Sequence, residues 1–237
     1  MTARSVVLSV LLGAHPAWAT AAELIMLTRD FDIRESTLRV ALTRMVAAGD
    51  LIRSADGYQL SDRLLARQRR QDDAMHPRVR AWRGQWTTLV ITSVGTDPRT
   101  RAALRTTLQN KRFAELREDV WMRPDNIDAG LDAGVLARMR VLKARDDDPI
   151  ELAQQLWDLP GWAQTGRALV DQMASATDIP GRFAVAAGMV RHLITDPMLP
   201  DELLPADWPG ATLRCVYAGF AADLTVRRGQ PQLMEAT

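Results

Sequence analysis

The chain has 237 residues, of which 47% are hydrophobic and 25% are charged. This composition is typical of a globular protein with one large or two to three small domains, and no stretch approaches the roughly 18 consecutive apolar residues that a membrane helix needs. A single cysteine, Cys215, excludes an internal disulfide, and the three histidines lie too far apart to show a metal-ligand spacing.

The nearly neutral total charge conceals an uneven distribution. Residues 1–83 hold 13 Lys and Arg against 9 Asp and Glu, and residues 84–145 hold 11 against 7. Residues 146–237 reverse the balance, with 6 basic against 13 acidic side chains. A basic front and an acidic rear favour a polyanionic partner for the front, although small domains also differ by a few charges without any partner.

The first 19 residues, MTARSVVLSVLLGAHPAWA, are close to the pattern of a secretory signal peptide: a basic residue, a short apolar run and a small-x-small ending. The same letters predict a helix over residues 3–13 that is buried on most sides, with Ser5, Ser9 and Gly13 in one narrow stripe. Two predicted helices follow that need an apolar partner. We therefore interpret the segment as the first helix of a domain, with a secreted binding protein as the less favoured alternative.

Start and stop signals predict the next two helices. Thr20 and Glu23 form a capping box in TAAELIMLTRDFD, and Asp32 with Glu35 repeats the box ahead of STLRVALTRMVAAGD. Gly49 stands where a glycine ends a helix. The last of these helices has a buried stripe at helical spacing, formed by Leu38, Ala41, Leu42 and Met45.

A hairpin is predicted in LIRSADGYQLS. Asp56-Gly57 is typical of a two-residue hairpin turn, in which both central residues take positive φ. The order helix, helix, tight turn, helix, hairpin predicts a winged helix-turn-helix domain over residues 1–62.

The outward face of the third helix predicts contact with the major groove of DNA. It has two arginines, short hydroxyls and an exposed valine, with no acid after Glu35. An arginine can form two parallel hydrogen bonds with guanine, hydroxyls can reach phosphate or base edges, and a valine can contact a thymine methyl. A structural helical hairpin is the alternative. The predicted DNA-binding residues are Arg34, Ser36, Thr37, Arg39, Val40, Thr43, Arg44 and, beside the hairpin turn, Arg53.

The rest of the chain divides into three predicted segments. Residues 63–83 form a connector helix rich in arginine, interrupted at Pro77. Residues 84–158 alternate strands and helices, beginning with a buried strand from Trp86 to Val94, and predict a ferredoxin-like α+β domain. Residues 159–237 are helical and contain the strap DPMLPDELLPADWPG, whose leucines and Trp208 should pack on the helices. The predicted fold class is therefore α+β.

Four stretches carry a family resemblance: TLRVALTRMVAAGDL, WRGQWTTLVI, VWMRPDN and RHLITDPMLPDELLPADWPG. With them the chain resembles PaaX-type transcriptional regulators, the phenylacetic acid degradation repressor family, over nearly its whole length. The resemblance implies a winged-helix domain, a middle domain similar to the ferredoxin-like fold of CRISPR-associated nucleases, and a helical C-terminal domain. The chain departs from the family pattern at the hairpin RSADGYQ, which is shorter and less basic than the hairpin often is in the family.

The resemblance also implies a function. A cytoplasmic, homodimeric repressor of aromatic or acyl-CoA catabolism genes would bind double-stranded operator DNA, without cofactor or enzymatic activity, and an acyl-CoA such as phenylacetyl-CoA would release it. Arg191 and His192, beside the strap, are the candidates for effector contact. The alternative is a metal-dependent nuclease that uses the middle domain, for which Asp97 is the nearby acid, although no second acid is evidently paired with it.

Overall fold

Ten α-helices and seven short strands are present within residues 1–93 and 97–229, the part of the chain that the computed structural model describes. The predicted α+β class is confirmed. Among the described helices none combines the length and the hydropathy needed to cross a bilayer. The helices are α1 Ala3–Leu12, α2 Ala21–Arg29, α3 Glu35–Ala47, α4 Asp62–Met75, α5 Pro98–Asn110, α6 Ala133–Leu136, α7 Pro149–Leu156, α8 Leu159–Ser175, α9 Ile179–Ile194 and α10 Gly210–Gly229. The strands are β1 Trp18–Ala19, β2 Leu51–Arg53, β3 Tyr58–Leu60, β4 Trp86–Ile91, β5 Ala114–Arg117, β6 Val120–Pro124 and β7 Met139–Ala144.

The described chain forms two compact units, each drawn from separated parts of the sequence. Unit one comprises Met1–Met75, Gly166–Ile194 and the described chain from Ala211 on. Unit two comprises His76–Thr165 and Thr195–Gly210. The domain boundaries at residues 62, 83 and 158 stay a prediction from the sequence.

The core of unit one is built around α1. Seven of its residues are buried, and Ser5 and Ser9 are half-buried on the predicted stripe. Thr2 and Ser5 form a capping box at its start, which the sequence interpretation missed. The predicted box of Thr20 and Glu23 is confirmed at the start of α2. Leu38, Leu42 and Met45 of α3 complete the apolar cluster, as their spacing predicted.

The ends of α3 give one confirmed and one wrong prediction. Gly49 has a φ of 69°, and the Gly49 and Asp50 N–H groups donate to the carbonyls of Val46 and Met45, which is a Schellman motif. Asp32 does not cap the helix, because α3 begins after Arg34 and Asp32 takes a φ of 54° in the turn that ends α2. That left-handed conformation, which Asp tolerates, holds the Asp32 carboxylate away from the first turn.

The predicted hairpin exists, but its turn is different. Strands β2 and β3 pair Arg53 with Tyr58, and the Ser54 N–H donates to the Gly57 carbonyl at 2.9 Å, so residues 54–57 form the loop. Neither Asp56 nor Gly57 has the positive φ that the two-residue turn requires. The strand β1, which the sequence interpretation missed, pairs with β3 on the other side. A Cβ on Gly57 would lie 2.4 Å from the Ala19 carbonyl oxygen, so this close approach accounts for the glycine.

Helices α9 and α10 contribute to the same core as the N-terminal helices. Phe183 is buried in the cluster that contains α1, and Phe220 and Leu224 pack against it. The rings of Phe183 and Phe31 meet edge to face, with centroids 5.1 Å apart. The Arg214 Nε–H of α10 donates to the Ala74 carbonyl near the end of α4 at 2.9 Å. The connector helix predicted over residues 63–83 is shorter than expected: α4 ends at Met75, two residues before Pro77, and does not resume before residue 84, since proline disfavours helix in the residue before it.

Unit two contains a four-stranded antiparallel sheet in the order β5-β6-β4-β7. Along the chain its elements run β-α-β-β-α-β, since α5 connects β4 to β5 and α6 connects β6 to β7. Leu104 and Leu108 of α5 pack on one face, and Leu152 of α7 packs on the other. The sheet is therefore covered on both faces.

Two strand predictions in unit two need correction. The first strand ends at Ile91, and Val94, which the prediction included, lies outside the described residues. The edge strand β5 was missed because its sequence, AELR, alternates charged with apolar side chains and resembles a helix end. Its charges are compatible with an edge position.

The strap packs on the second face of the sheet. Leu199 and Leu203 are buried in the cluster of Trp86 and Leu152, and Trp208 stacks on Trp162 with ring centroids 4.3 Å apart. A 3₁₀ turn, Asp201–Leu203, and a second turn, in which the Trp208 N–H donates to the Pro205 carbonyl at 3.1 Å, interrupt its extended path.

A buried arginine links the strap to the sheet. The Arg123 guanidinium of β6 donates to the carbonyls of Lys111 and Pro124 and to the Asn126 side chain, and the Asn126 amide donates to the Met198 carbonyl at 2.9 Å. Burial lowers the pKa of Arg123 to about 9, so the guanidinium still carries its charge at neutral pH. The motif RPDN thus has a structural role in unit two.

Gly57→Ala is expected to destabilise the protein by about 1–3 kcal/mol, because the added methyl group collides with the Ala19 carbonyl. Urea unfolding followed by circular dichroism measures the change. Gly219→Ala is the control, since a Cβ there has nothing within 4 Å and α10 should gain from the replacement. Equal stability of Gly57→Ala and the unaltered protein would contradict the close-approach explanation.

Asn126→Ala is expected to cost about 2–3 kcal/mol, because it leaves an Arg123 N–H and the Met198 carbonyl without their partner inside the protein. The same urea titration gives the value. Asn110→Ala, at an exposed position of the same unit, serves as the matched control and should change stability by less than about 0.5 kcal/mol.

Candidate nucleic-acid interface

Helix α3 presents the predicted residues to solvent. With Leu38, Leu42 and Met45 anchored in the core, the opposite side of the helix is fixed. All seven predicted residues from Arg34 to Arg44 are exposed, and Val40 is 50% exposed although it is apolar. Arg53 is also exposed, on β2 of the hairpin.

The charge of this face comes from three arginines. Arg39 donates through Nε and Nη2 to the Glu35 carboxylate four residues earlier, at 2.8 and 2.6 Å. Such an exposed pair contributes little stability, but it holds the guanidinium along the helix and leaves three of its five N–H donors free. Arg34 and Arg44 make no ion pair within residues 1–93 and 97–229. The face therefore carries a net positive charge.

A groove of about 610 Å³ separates this face from the start of α1. It brings together Ser36, Thr37, Val40 and Arg44 from the predicted set. Arg34, Arg39 and Thr43 lie on the same helix but outside the groove, and the Thr43 hydroxyl donates to the Arg39 carbonyl. Thr2, Ala3 and Arg4 of the α1 end line the opposite wall.

Sequence reasoning missed Arg4 and the acid that holds it. Asp50, whose side chain is 4% exposed, accepts from Arg4 Nη2 at 2.8 Å and from Arg63 of α4. The two guanidiniums fix the start of α1 and the start of α4 beside the end of α3. The available signal was a basic residue in the first turn of an apolar helix, which is also what a signal-peptide pattern contains.

The hairpin adds little charge. Arg53 is the one basic side chain between Leu51 and Leu60, and the loop is held by the Ser54 hydroxyl, which donates to the Gly57 carbonyl at 3.2 Å. The Trp18 Nε1–H in turn donates to Ser54 at 3.4 Å. The loop is therefore braced by β1 and offers a single guanidinium to a partner.

The two residues predicted for effector contact lie on the last turn of α9. Arg191 lines a cavity inside unit one, whereas His192 is half-buried and not among the residues that line it. The structure therefore separates the two candidates.

Asp97 has a structural explanation in the described chain. It is the N-cap of α5, accepting from the backbone N–H groups of Arg99 and Thr100 and from the Thr100 hydroxyl. The Thr100 side-chain hydrogen bond lowers the pKa of this carboxyl group. No cluster of three or more His, Cys, Asp or Glu side chains with the geometry to hold a metal ion occurs in the part that the structure describes.

The described architecture is that of an α+β protein of several parts, with an arginine-bearing helix exposed on the first unit. Three family models match it: PaaX-like protein over residues 2–64, PaaX protein central Cas2-like domain over 79–145, and PaaX-like protein C-terminal domain over 161–230. The chain belongs to the PaaX-like family.

Two relatives illustrate the similarity. The transcriptional repressor PaaX of Escherichia coli (strain K12) is 31% identical over 210 residues, which are 76% of this chain and 66% of the relative. A solved structure, the uncharacterized protein Rv0674 from Mycobacterium tuberculosis, is 71% identical, with a TM-score of 0.86 over 96% of this chain and 97% of that one.

Asp50→Asn is expected to lower stability by about 1–3 kcal/mol, because the buried acceptor of two guanidiniums loses its charge. Thermal and urea unfolding measure the loss. Asp56→Asn removes a carboxylate from the exposed hairpin loop and should leave stability within about 0.5 kcal/mol of the unaltered protein. Equal effects of the two replacements would contradict the role given to Asp50.

Proposed function

We propose that the protein is a DNA-binding transcriptional repressor in which residues 1–62, within unit one, form a winged helix-turn-helix. The observation that carries the proposal is the exposed face of α3, which keeps three arginines, short hydroxyls and an apolar Val40 in solvent while its other side is locked in the core. A repressor relative in the same family supports it. Under the same proposal unit two has a ferredoxin-like sheet.

The residues of α3 divide by the kind of contact they suit. Arg39 and Arg44 are five residues apart on the helix, and each can bind guanine O6 and N7 or a phosphate. Val40 can pack on a thymine methyl. Ser36 and Thr37 lie in the first turn, where free backbone N–H groups also favour phosphate. Arg34 precedes that turn. These six positions, with Thr43, form the proposed reading face.

The hairpin plays a smaller part in this proposal. It offers Arg53 alone, on a strand whose loop contains Asp56. One guanidinium can neutralise one phosphate, so most of the affinity and the sequence preference should come from α3. Arg4, across the groove from Ser36, is a further candidate for a phosphate contact.

Release of the DNA is proposed to follow binding of an acyl-CoA such as phenylacetyl-CoA, and the regulated genes would serve aromatic or acyl-CoA catabolism. The ligand must bind the DNA-free conformation more tightly than the DNA-bound one, since equal affinity for both would shift nothing. Arg191, with a free guanidinium in the described chain, and His192 are the predicted contacts.

A homodimer is the proposed binding form. A two-fold symmetric pair of reading helices should recognise an inverted repeat whose half-sites lie one or more helical turns apart, about 34–36 Å per turn. Selection from random DNA tests this directly. Enriched sequences without a repeated half-site would contradict the dimer.

The experiment that tests the function is titration of the upstream DNA of the protein's own gene with unaltered protein and with Arg39→Ala/Arg44→Ala. We expect the double variant to lose at least about 30-fold in affinity while its circular dichroism stays unchanged, because each arginine contact is worth about 1–3 kcal/mol. Repeating the titration at two salt concentrations separates the roles: loss of phosphate contacts reduces the salt dependence, and loss of base contacts does not.

The matched control is Arg99→Ala/Arg101→Ala, which removes two exposed arginines from α5 of unit two. It should bind the DNA like the unaltered protein. Equal affinities of both double variants would mean that α3 is not the reading helix. Mg²⁺ and Mn²⁺ are added to parallel samples, and cleavage of the DNA there would favour the nuclease alternative.

A further inference from the structure

A cavity of about 100 Å³ with a mixed apolar and polar wall lies in unit one, where α1, α4, α9 and α10 meet. Each of the four helices contributes to its wall. The apolar part is formed by Val10, Phe183, Val190, Phe220 and Leu224. These side chains can contact a small apolar group, and polar side chains complete the wall.

Two guanidiniums stand in the wall of this cavity without a carboxylate partner. Arg67 of α4 and Arg191 of α9 are both exposed, and neither makes an ion pair within residues 1–93 and 97–229. Two further arginines of the same unit, Arg182 and Arg227, are paired with Asp223 and Asp30, whereas Arg34 and Arg44 on the α3 face are not paired in the part of the chain that the structure describes. Two unpaired positive charges beside an apolar cavity favour an anion with an apolar body.

The Gln71 amide in the wall is open to the cavity. Gln71 is 7% exposed, lines the cavity, and makes no side-chain hydrogen bond in the described part of the chain. Gln68, three residues earlier on α4, has its Nε2 group engaged with the carbonyls of Leu11, Leu12 and Ala14. The Gln71 amide, by contrast, can donate a hydrogen bond to a ligand in the cavity and can accept one from it.

The Tyr217 hydroxyl is the second neutral donor of the wall. Burial and the nearby Asp72 carboxylate raise the pKa of Tyr217, so the hydroxyl keeps its proton. Like the Gln71 amide, it forms no hydrogen bond among the residues that the structure describes.

We propose that this cavity binds a small amphipathic anion, with an aryl-acyl or short acyl group among the apolar side chains and the negative charge at Arg67 and Arg191. Gln71 and Tyr217 then hydrogen-bond to the acyl oxygen. The proposal deepens the proposed function, on which its regulatory part rests, by placing the ligand and limiting its size.

The cavity volume limits the size of the chemical group that can enter. An engineered apolar cavity of about 150 Å³ holds benzene, so 100 Å³ suits one ring or a few methylene groups after small side-chain adjustments. A nucleotide is much too large. The carboxylate of a free acid or the phosphates of a thioester-linked nucleotide would therefore stay outside, at the arginines.

Helix α1 connects the cavity with the reading face. Its later residues Ser9, Val10 and Leu12 line the cavity, and its first residues Ala3 and Arg4 line the groove beside α3. A helix of ten residues is about 15 Å long and moves as a rigid rod. A ligand that displaces the end of α1 at the cavity can therefore change the groove at the other end.

Calorimetric titration of the full-length protein with phenylacetyl-CoA, phenylacetate and CoA tests the binding. We expect one phenylacetyl-CoA per chain, with CoA alone at least about tenfold weaker because it leaves the apolar cavity empty. Binding of phenylacetate would identify the free acid as sufficient, and binding of the thioester alone would assign the charge to its phosphates. Failure of both acyl compounds to bind would overturn the proposal.

Variants of residues that line the cavity test whether the ligand binds there. Arg67→Ala and Arg191→Ala should each weaken binding at least about tenfold, and Ala187→Phe should abolish it by filling the cavity. Arg70→Ala, exposed on α4, and Ala184→Phe, exposed on α9, lie outside the cavity and should bind normally. If Ala187→Phe does not fold, the two arginine variants decide. Normal binding by both arginine variants would show that the ligand sits elsewhere.

DNA titration of the same samples keeps the two proposals apart. Ligand-free Arg67→Ala and Arg191→Ala should bind the upstream DNA like the unaltered protein and should no longer be released by the ligand. DNA binding without any acyl ligand binding would overturn the cavity assignment alone. Ligand binding in the cavity without specific DNA binding would overturn the proposed function and leave the binding site standing.

Discussion

The burial of α1 is the constraint on which unit one depends. A helix of ten residues that buries seven of them cannot lie on a surface, so other elements must enclose it. Helices α2 and α3 cover part of it, and α4, α9 and α10 cover the rest. Gln68 Nε2 of α4 donates to the carbonyls of Leu11 and Leu12, the last two residues of α1, and to that of Ala14 beyond it. The orientation of α3 therefore depends on a core to which distant parts of the chain contribute.

This dependence explains why segments from both ends of the sequence form one unit. Phe183 and Phe220 pack edge to face in the same cluster that holds Leu38 and Leu42. Residues that never approach the α3 face can then affect it by changing how α1 is held. A core that is shared in this way offers a physical route for regulation, whereas separately folded units on a flexible linker would need a different one.

The sequence predicted features that local interactions decide. Thr20 and Glu23 interact across a single helical turn, and Leu38 and Leu42 recur with the helix period. At the end of α3, Gly49 and Asp50 donate to the carbonyls three and five residues before each of them, respectively. The same local patterns gave the exposed face of α3, because an outward position follows from the buried stripe. The predicted residues on that face are all exposed.

Features decided by distant contacts were missed. The strand β1 has two residues and exists because β3 pairs with it, so no local sequence pattern could predict it. The sequence predicts Gly57 as a turn residue, but glycine is required there because the Ala19 carbonyl, far away in sequence, leaves no room for a Cβ. The ion pair of Arg4 with Asp50 joins residues 46 positions apart. The cavity at Arg191 likewise requires four helices to be placed before any side chain can be assigned to it.

The small net charge of the protein makes the arrangement of its arginines more important than their number. A total of +1 gives almost no long-range attraction to DNA, so attraction must come from a local surface. On the α3 face, Arg34 and Arg44 have no ion-pair partner among the described residues, and the single acid, Glu35, is already engaged by Arg39. A phosphate that approaches Arg39 competes with Glu35 for the same guanidinium, and the exposed pair costs little to open. Arginine contacts a base through two parallel hydrogen bonds from its guanidinium. Such base contacts then contribute a larger share of the binding free energy than they would on a strongly basic domain.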